Sequence, residues 1–327
     1  MKAAWFEKFG NAEDVLIYGE YETPSPQKDE VLVHLYASGI NPSDTKKRGG
    51  SSPSLLSDGP VIPHSDGAGI IEAVGPGVPE SRIGERVWLY NAQFGRQHGT
   101  AAEYIALKSS QAITLPQNAS FEIGACMGIP AMTSHRCVTA DGPVEGQTIL
   151  VTGGAGRVGF YAIQWAKSLG ATVIATASSE VSRNVCAEAG ADLVTGHPGD
   201  DTTASIKDFT AGKGVDRIVE GEFGGNLNHV LNILKTNGTI ATYSSMANAT
   251  PEIPFYQMMF MDITVRYVLV YVMPDSAKIK AALDISDFLE KEKLQHQIAH
   301  TLPLANIVEG HQLIEKSGFS GCVVLTC

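Results

Sequence analysis

Short apolar runs, interrupted by polar residues, fill the first third of the chain. They lie at residues 31–37, 68–74 and 85–90 and are rich in valine, isoleucine and leucine. Proline- and glycine-rich segments at 23–26 and 75–77 separate them. Apolar runs bounded by such residues are typical of strands. This part of the chain is therefore predicted to form a β-rich domain, shaped as a barrel or a sandwich.

The rhythm changes near residue 120, where strand-like and helix-like segments begin to alternate. Strands are predicted at 147–152, 171–176, 216–220 and 238–243, and the helix predicted at 158–169 carries its apolar residues on one face. This alternation predicts an α/β fold with a doubly wound parallel sheet and right-handed crossovers. The tail contains two more helices and a last strand, and we expect it to return to the first domain.

A glycine-rich turn lies between the first strand and the first helix of the alternating region, with the pattern G-x-G-x-x-G. The first glycine permits a tight turn, the second lets the backbone approach a pyrophosphate, and the third lets the helix pack closely on the strand. The helix N-terminus directs its N–H groups and its positive dipole end at the phosphates. We therefore predict a site for a nicotinamide or flavin dinucleotide. Its residues are Gly154, Ala155, Gly156, Arg157, Val158 and Gly159.

The end of the second strand of this region distinguishes between NADH and NADPH. In an NAD site, an acidic residue there binds the ribose 2′-hydroxyl group. Here the small residues Ser178 and Ser179 leave room for a 2′-phosphate, and Glu180 is interpreted as the first turn of the next helix. Arg183 and His197 are candidate phosphate partners, with a solvated helix face as the alternative for Arg183. We predict NADPH as the cofactor.

Three further motifs accompany the glycine-rich turn, at residues 39–44, 64–75 and 128–133. Together with the turn they resemble the medium-chain dehydrogenase/reductase superfamily. Within it, they are similar to the zinc-free quinone oxidoreductase, or zeta-crystallin, branch. The resemblance runs over the whole chain and includes the order of its domains.

The resemblance implies a domain organisation and a partner. Residues 1–121 and 266–327 would form a GroES-like catalytic domain, and residues 122–265 a Rossmann NADPH-binding domain inserted between them. The nicotinamide would lie in the cleft between the domains. The resemblance also implies a homodimer joined through the Rossmann sheets, around residues 265–272.

The absence of a catalytic metal is predicted from the same motifs. Zinc alcohol dehydrogenases of the superfamily use a Cys, a His and a Cys there, whereas this chain has Asn41, Ser65 and Ile129 and lacks the four-cysteine lobe of the structural zinc. Because a catalytic zinc needs three N, S or O ligands from the protein, we predict none. Without a strong Lewis acid, the expected substrate is electron-poor, such as a quinone or an α,β-unsaturated carbonyl compound, which becomes a delocalised anion on hydride addition.

The resemblance also implies residues around the substrate and the nicotinamide. Asn41 and Asp44 would line the substrate side, although Asn41 also suits a turn before a proline. Thr133 would bind the carboxamide or, alternatively, its own helix backbone. Asn226 would lie under the adenosine ribose or the nicotinamide. The other residues implied near the cofactor, with core packing as an equal alternative for the apolar wall, are Pro130, Ser244, Ser245, Val268, Leu269 and Val270.

One departure from the branch bears on the substrate. Quinone reductases often carry tyrosines shortly after the Asn-Pro motif, where this chain has Lys46 and Ser52. Their replacement removes a stacking surface for a planar quinone. Lys46 or Arg48 would then stabilise a developing enolate or bind an anionic group, unless the basic cluster is simply solvated. A 2-alkenal or enone reductase is therefore the alternative to a quinone reductase.

Composition narrows the choice of partner and compartment. The formal net charge of −11 argues against a nucleic-acid partner or an anionic membrane surface. The N-terminus lacks a signal-peptide pattern, no apolar run is long enough for a bilayer, and the five cysteines form no C-x-x-C pair. We expect a cytoplasmic enzyme with a small-molecule substrate. The alternative from another class is a protein that binds NADPH without catalysis, as a sensor or a structural protein.

Overall fold

The computed structural model describes residues 1–197 and 199–327, which divide into two compact units. The first unit comprises Met1–Ile129 and Ala282–Cys327, and the second comprises Pro130–Ala281. None of the helices in the described ranges is long and apolar enough to cross a membrane.

The described strands and α-helices are numbered separately, each in chain order. The strands are β1 Lys2–Trp5, β2 Ile17–Glu20, β3 Glu30–Ile40, β4 Asp66–Val74, β5 Arg86–Leu89, β6 Tyr104–Lys108, β7 Ala112–Thr114, β8 Thr148–Val151, β9 Thr172–Thr176, β10 Leu193–Thr195, β11 Val215–Glu220, β12 Leu234–Thr242, β13 Thr264–Tyr267, β14 Ile298–Pro303 and β15 Cys322–Thr326. The α-helices are α1 Ala12–Val15, α2 Pro42–Arg48, α3 Phe121–Gly124, α4 Met132–Thr139, α5 Arg157–Ser168, α6 Glu180–Glu188, α7 Asp200–Phe209, α8 Phe223–Leu231, α9 Phe255–Phe260, α10 Asp275–Glu290 and α11 Ile307–Lys316.

The first unit is built around a mixed sheet with the strand order β14-β15-β3-β4-β5-β7, in which β6 also pairs with β3. Every pair in this sheet except β14-β15 is antiparallel. Along β3, the buried Val31, Val33 and Leu35 alternate with more exposed residues, which is the expected pattern of a strand with one face on the core. The tail returns as predicted, because β15 pairs with β3 through Val323 and Ile40.

The second unit is built around an all-parallel sheet with the order β10-β9-β8-β11-β12-β13. Leu150, Ile174, Ile218 and Ile240 are fully buried at its centre, as expected for parallel strands covered by helices on both faces. The predicted α/β alternation is confirmed. After β10 the chain crosses to the other side of β8 to form β11, so the strand order reverses between β8 and β11. Ligands of such sheets bind beyond the carboxyl ends of the strands at this reversal.

The unit boundaries lie later in the chain than the predicted ones at 121/122 and 265/266. Helix α3 packs on β3, β4 and β5 and so belongs with the first unit. Strand β13 pairs with β12 and belongs with the second unit. Both boundaries fall within helical segments, Met127–Ala131 and α10, where no change of composition marks them.

Candidate active site

The glycine-rich turn connects β8 to α5 and closes on β9. The N–H groups of Gly153 and Gly154 donate to Oγ1 and to the carbonyl oxygen of Thr176, at 3.0 and 2.9 Å. Gly153 has a φ of 59°, in the left-handed region that favours glycine. A Cβ atom on Gly159 would lie 2.5 Å from the carbonyl oxygen of Gly153. The helix can start directly against the turn only because this residue has no side chain.

The N-terminus of α5 forms the other side of the turn. Its N-cap is Gly156, which has no side chain with which to cap the first N–H groups. Gly153 and Gly156 are exposed, whereas Ala155 is buried and Arg157 and Val158 are half-buried. Open backbone N–H groups at the positive end of a helix dipole attract phosphate. The turn therefore fits the pyrophosphate of a dinucleotide.

The region predicted to bind the ribose phosphate lies at the carboxyl ends of β9 and β10. These ends are adjacent, since the N–H of Ala177 donates to the carbonyl oxygen of Thr195 at 2.9 Å. Ser179 is the N-cap of α6 and accepts a hydrogen bond from the N–H of Ser182 at 3.1 Å. Glu180 is the first residue of α6, as the sequence indicated.

The two predicted phosphate partners, Arg183 and His197, and the two serines predicted to leave room for the phosphate are exposed around these strand ends. Ser178, Ser179 and Arg183 lie at the start of α6, and His197 lies beyond β10. The two residues directly after β9, Ala177 and Ser178, carry no carboxylate. These four exposed residues form what we call the polar rim: Ser178, Ser179, Arg183 and His197.

A groove of about 480 Å³ lies beyond the carboxyl end of β12. Four of the five residues predicted to form a wall beside the cofactor line it, namely Ser244, Ser245, Val268 and Leu269. The fifth, Val270, is buried in the short helix Val270–Val272.

The carboxyl end of β11 carries a buried acid that the sequence analysis did not select. Glu220 has no exposed surface, and its Oε1 accepts hydrogen bonds from Thr152 Oγ1 at 2.8 Å, from the N–H of Glu222 at 2.6 Å and from Asn226 Nδ2 at 2.9 Å. Burial raises the pKa of Glu220 more strongly than these bonds lower it. Asn226, predicted to lie under the cofactor, is thus directed at Glu220. The sequence pattern that would have identified Glu220 is an acidic residue at the end of a predicted strand beside the glycine-rich turn.

The residues predicted near the nicotinamide ring lie where the second unit begins. Pro130 lies in the π-helical segment Met127–Ala131, and Thr133 is buried in the first turn of α4. The neighbouring Ser134 donates to the carbonyl oxygen of Ala131 at 2.8 Å, the kind of local bond that was the alternative for Thr133. Both predicted residues therefore lie within one turn of helix.

In the first unit, Asn41 both caps a helix and reaches a buried carboxyl group. It is the N-cap of α2, and its backbone N–H donates to Asp44 Oδ2 at 2.8 Å. Its side-chain Nδ2 donates to Asp66 Oδ2 at 2.7 Å. Asn41, Asp44 and Asp66 are 4%, 1% and 0% exposed. The turn-holding role proposed as the alternative for Asn41 is present, and its amide also has a defined partner.

Asp66 lies in one of the quoted motifs but was not selected as a site residue. The N–H of Ile129 donates to both of its carboxyl oxygens, at 3.0 and 2.9 Å. A Cβ atom on Gly128 would lie 2.0 Å from Asp66 Oδ1, so that position needs a glycine. Burial raises the pKa of Asp66 to about 8, because the loss of water opposes ionisation more than the bonds from Ile129 and Asn41 favour it.

Lys46 and Arg48, predicted to line a substrate pocket, lie in different surroundings because successive helix residues are rotated by about 100°. Lys46 is exposed. Arg48 is 2% exposed, and its guanidinium donates to the carbonyl oxygen of Gly10 at 2.6 Å and to the carboxylate of Glu315. Arg48 thus links Gly10 to Glu315, and its contact with a substrate stays a prediction.

The basic residue between them was overlooked and lies beside Asp66. Lys47 Nζ is 2.8 Å from Gln93 Oε1, 3.4 Å from Ser65 Oγ and 3.9 Å from Asp44 Oδ1. Asp44 and Lys47 are three residues apart and so share one face of α2. Burial lowers the pKa of Lys47, against the opposite effect of Asp44 and Asp66. We call this group the Asp66 cluster: Asn41, Asp44, Lys47, Ser65, Asp66 and Gln93.

A chain of buried hydrogen bonds ends at the backbone carbonyl oxygen of Asp66. Thr100 Oγ1 donates to the carbonyl oxygen of Asp66 at 2.6 Å, so the hydroxyl of Ser38, 2.9 Å away, must donate to Thr100. Ser38 then accepts from His64 Nδ1, and His64 Nε2 accepts from His311 Nε2, each at 2.9 Å. Since each bond needs one proton, two neutral imidazoles allow no other assignment. Burial lowers the pKa of both histidines, to about 3 for His64, which keeps them neutral.

The three positions compared with zinc ligands have other roles in this chain. The Asn41 amide and the Ile129 N–H bond Asp66, and Ser65 lies beside Lys47. Within the described ranges, no group of three or more His, Cys, Asp or Glu side chains is placed to hold a metal ion.

Comparison with known proteins identifies the family. A family described as "Alcohol dehydrogenase GroES-like domain" matches residues 27–117, and one described as "Zinc-binding dehydrogenase" matches residues 158–287. The quinone oxidoreductase of Homo sapiens is 30% identical over 329 residues, covering 99% of this chain and 97% of the relative. The chain belongs to the medium-chain dehydrogenase/reductase superfamily.

Solved structures of similar proteins share the whole fold of this chain. Mycobacterial Rv1454c complexed with NADPH is 27% identical, with a TM-score of 0.88 over all of both chains. An NAD-dependent alcohol dehydrogenase is 29% identical, with a TM-score of 0.90 over all of both chains. Within the superfamily the chain falls in the quinone oxidoreductase branch, and it is an NAD(P)-dependent oxidoreductase. The predicted GroES-like and Rossmann folds are confirmed.

Replacing Gly159 with alanine should weaken cofactor binding. The new Cβ would lie 2.5 Å from the carbonyl oxygen of Gly153 and 2.9 Å from the Cα of Gly154, so the turn must move away from α5. We expect a loss of ~1–3 kcal/mol in the free energy of unfolding. NADPH affinity, measured by fluorescence titration, should fall by about tenfold or more. Gly49→Ala is the matched control, because its Cβ would make only ordinary contacts at 3.4 Å. Equal NADPH affinity in the two variants would contradict the assignment.

Replacing Asp66 with asparagine should change how stability depends on pH. The folded pKa of about 8 lies above the ordinary 3.8, so the folded protein binds this proton more tightly than the unfolded chain does. The free energy of unfolding of the wild type therefore falls as pH rises from about 4 to about 8, and Asp66→Asn removes this contribution. Urea unfolding at both ends of the range should show slopes that differ by about 1 kcal/mol per pH unit. The exposed Asp58→Asn is the control. An unchanged slope in Asp66→Asn would mean that Asp66 is ionised in the folded protein.

Proposed function

We propose that this medium-chain reductase transfers hydride from NADPH to a quinone without a zinc ion. One observation carries the proposal. Asn41 and Ile129, at two positions where zinc enzymes of the superfamily have metal ligands, instead donate hydrogen bonds to Asp66. Polarisation of the substrate then depends on hydrogen-bond donors, which is adequate where the product of hydride addition is a delocalised anion. Similarity to quinone oxidoreductases over 99% of the chain supports this choice.

The polar rim supports NADPH rather than NADH as the cofactor. The small side chains of Ser178 and Ser179 leave space at the end of β9, and Arg183 offers a planar cation that pairs well with phosphate oxygens. His197 is exposed beyond the neighbouring strand. The structure of mycobacterial Rv1454c complexed with NADPH supports the same cofactor.

When bound, the nicotinamide supplies the hydride, and this chain's residues bind and orient the reactants. The N–H groups from Gly154 to Gly159 would hold the pyrophosphate. Thr133 would bind the carboxamide and so fix which face of the nicotinamide ring is presented, with Pro130 nearby, and the wall of the groove would border the ring. The Asp66 cluster would receive the substrate carbonyl. Water would supply the proton that completes the product.

A 2-alkenal or enone reductase is the second candidate. The replacement of two tyrosines by Lys46 and Ser52 removes a stacking surface, and the cation of Lys47 in the Asp66 cluster suits an enolate oxygen. The candidate from another class, an NADPH-binding sensor or structural protein, would bind the cofactor without turnover.

We also propose that two copies of this chain associate through the edge of the second-unit sheet and that the enzyme is cytoplasmic. Strand β13 is the last strand of that sheet. Phe260, Tyr267 and Leu269 beside it are 78%, 71% and 53% exposed, an apolar surface that favours burial against a partner. The five cysteines are free, as expected in a reducing compartment.

Initial rates of NADPH oxidation test the proposed function. With EDTA present, we expect turnover of an ortho-quinone, and comparison with a straight-chain 2-alkenal decides between the two candidates.

Arg183→Ala should raise the KM for NADPH by about tenfold and leave that for NADH unchanged, because only NADPH carries the 2′-phosphate. Asn184→Ala, at the next exposed position, is the control. Binding of NADPH without turnover of either acceptor would favour the non-catalytic alternative.

Introducing a charge on the proposed dimer surface should produce monomers. Phe260→Asp would place a carboxylate in the buried contact, whereas Val181→Asp changes a residue of similar exposure, 72%, on α6 near the opposite edge of the sheet. We expect a dimer for the wild type and for Val181→Asp, and a monomer for Phe260→Asp, by sedimentation velocity. A dimer in all three would place the contact elsewhere.

A further inference from the structure

Lys47 has the geometry of a group that receives negative charge from a substrate. Its ammonium is held by Gln93 Oε1 at 2.8 Å and lies 3.4 Å from Ser65 Oγ, so neighbouring residues determine its position. Asp44, three residues before it, keeps a carboxylate oxygen at 3.9 Å. A cation held in place before the substrate arrives loses little entropy when charge develops.

The exposure of the charged residues shows which of them a small molecule can reach. The side chain of Lys47 is 15% exposed, whereas that of Asp44 is 0% exposed and Asp66 as a whole has no exposed surface. A ligand that arrives from solvent therefore meets the cation before either acid. Burial also keeps the pKa of Asp66 at about 8, which favours its neutral form near pH 7 and leaves less negative charge around Lys47.

We propose that Lys47 is a catalytic residue whose ammonium binds the carbonyl oxygen of an α,β-unsaturated carbonyl substrate. This proposal rests on the reductase function proposed above and applies to its second candidate substrate, a 2-alkenal or enone. Lys47 lies beside Ser65, at a position compared with a zinc ligand, and its charge takes over the electrostatic task of a metal cation.

The enone, the reduced nicotinamide and water account for every atom and electron of the reaction. The β-carbon of the enone accepts a hydride from the reduced nicotinamide, which becomes oxidised by two electrons. The π electrons of the C=C bond move to form the C=C bond of the enolate, and the carbonyl π pair moves to oxygen. The Lys47 ammonium donates a hydrogen bond to this oxygen and keeps its proton. The α-carbon then takes a proton from water, and the buffer neutralises the hydroxide formed.

Three variants test the role of the charge with a 2-alkenal as substrate. Lys47→Met should lower kcat by about 10²-fold, the usual effect of removing one donor to a developing oxyanion. Lys47→Arg should recover part of this loss, since it restores a cation. Lys28→Met, which removes an exposed lysine of the same unit, should match the wild type. NADPH affinity and the urea midpoint, measured for each variant, show whether folding and the glycine turn are intact.

The pH profile gives a readout that a structural role would not change. The kcat of the wild type should fall on the alkaline side as Lys47 loses its proton, at a pH below the ordinary 10.5 because burial lowers its pKa. Asp44 and Asp66 face Lys47 and oppose this shift. Lys47→Met should lose the fall that Lys47 causes and keep only the change that follows ionisation of Asp66, whose pKa is about 8.

Binding of 4-nitrophenol tests the same site without turnover. The bound phenolate resembles an enolate, so the wild type should favour the phenolate form and lower the apparent pKa of the bound phenol. The phenolate absorption band should weaken at fixed pH in Lys47→Met and persist in Lys47→Arg. Equal titrations and equal kcat in wild type and Lys47→Met would overturn the proposal while leaving the reductase function intact. Absence of wild-type turnover with every acceptor would overturn the proposed function and the catalytic role together, even if phenolate binding still depended on Lys47.

Discussion

The burial of one carboxyl group, that of Asp66, is the constraint on which the polar side of the first unit depends. Removing a carboxyl group from water costs several kcal/mol unless it is neutral or well hydrogen-bonded. Asn41 and the backbone of Ile129 supply the donors, Gly128 leaves the space, and Thr100 bonds the carbonyl oxygen of the same residue. The start of α2, the segment before α4 and the loop before β6 are therefore all tied to the first residue of β4.

The second unit contains a comparable acid at the end of a central strand. Glu220 is as fully buried as Asp66, and its Oε1 accepts three hydrogen bonds from Thr152, Glu222 and Asn226. Burial raises the pKa of both acids. Asn226 donates directly to Glu220, whereas Lys47 is held near Asp66 by Gln93 and Ser65.

The two units suit different kinds of ligand group because they present different kinds of donor. The glycine-rich turn offers backbone N–H groups and a helix dipole, which match a pyrophosphate and need no side chain. The Asp66 cluster offers side chains whose positions are fixed by each other, which match a single polar oxygen. The pyrophosphate of the proposed cofactor and one carbonyl oxygen of the proposed substrate would need these two arrangements respectively.

Sequence patterns that act over a few residues were sufficient for the fold and for the glycine-rich turn. The spacing of Gly154, Gly156 and Gly159 and the alternation of strands with helices express local geometry, so both could be predicted without the structure. The surroundings of residues 46–48 could not, because α2 directs its neighbouring basic side chains to separate places and their partners, such as Glu315 for Arg48, are distant in the chain. Likewise, only the folded chain brings Asn41 and Ile129 to Asp66. A buried ionisable group needs hydrogen-bond partners, and the fold supplies them from distant parts of the chain. A short stretch of sequence therefore does not show which residues these partners are.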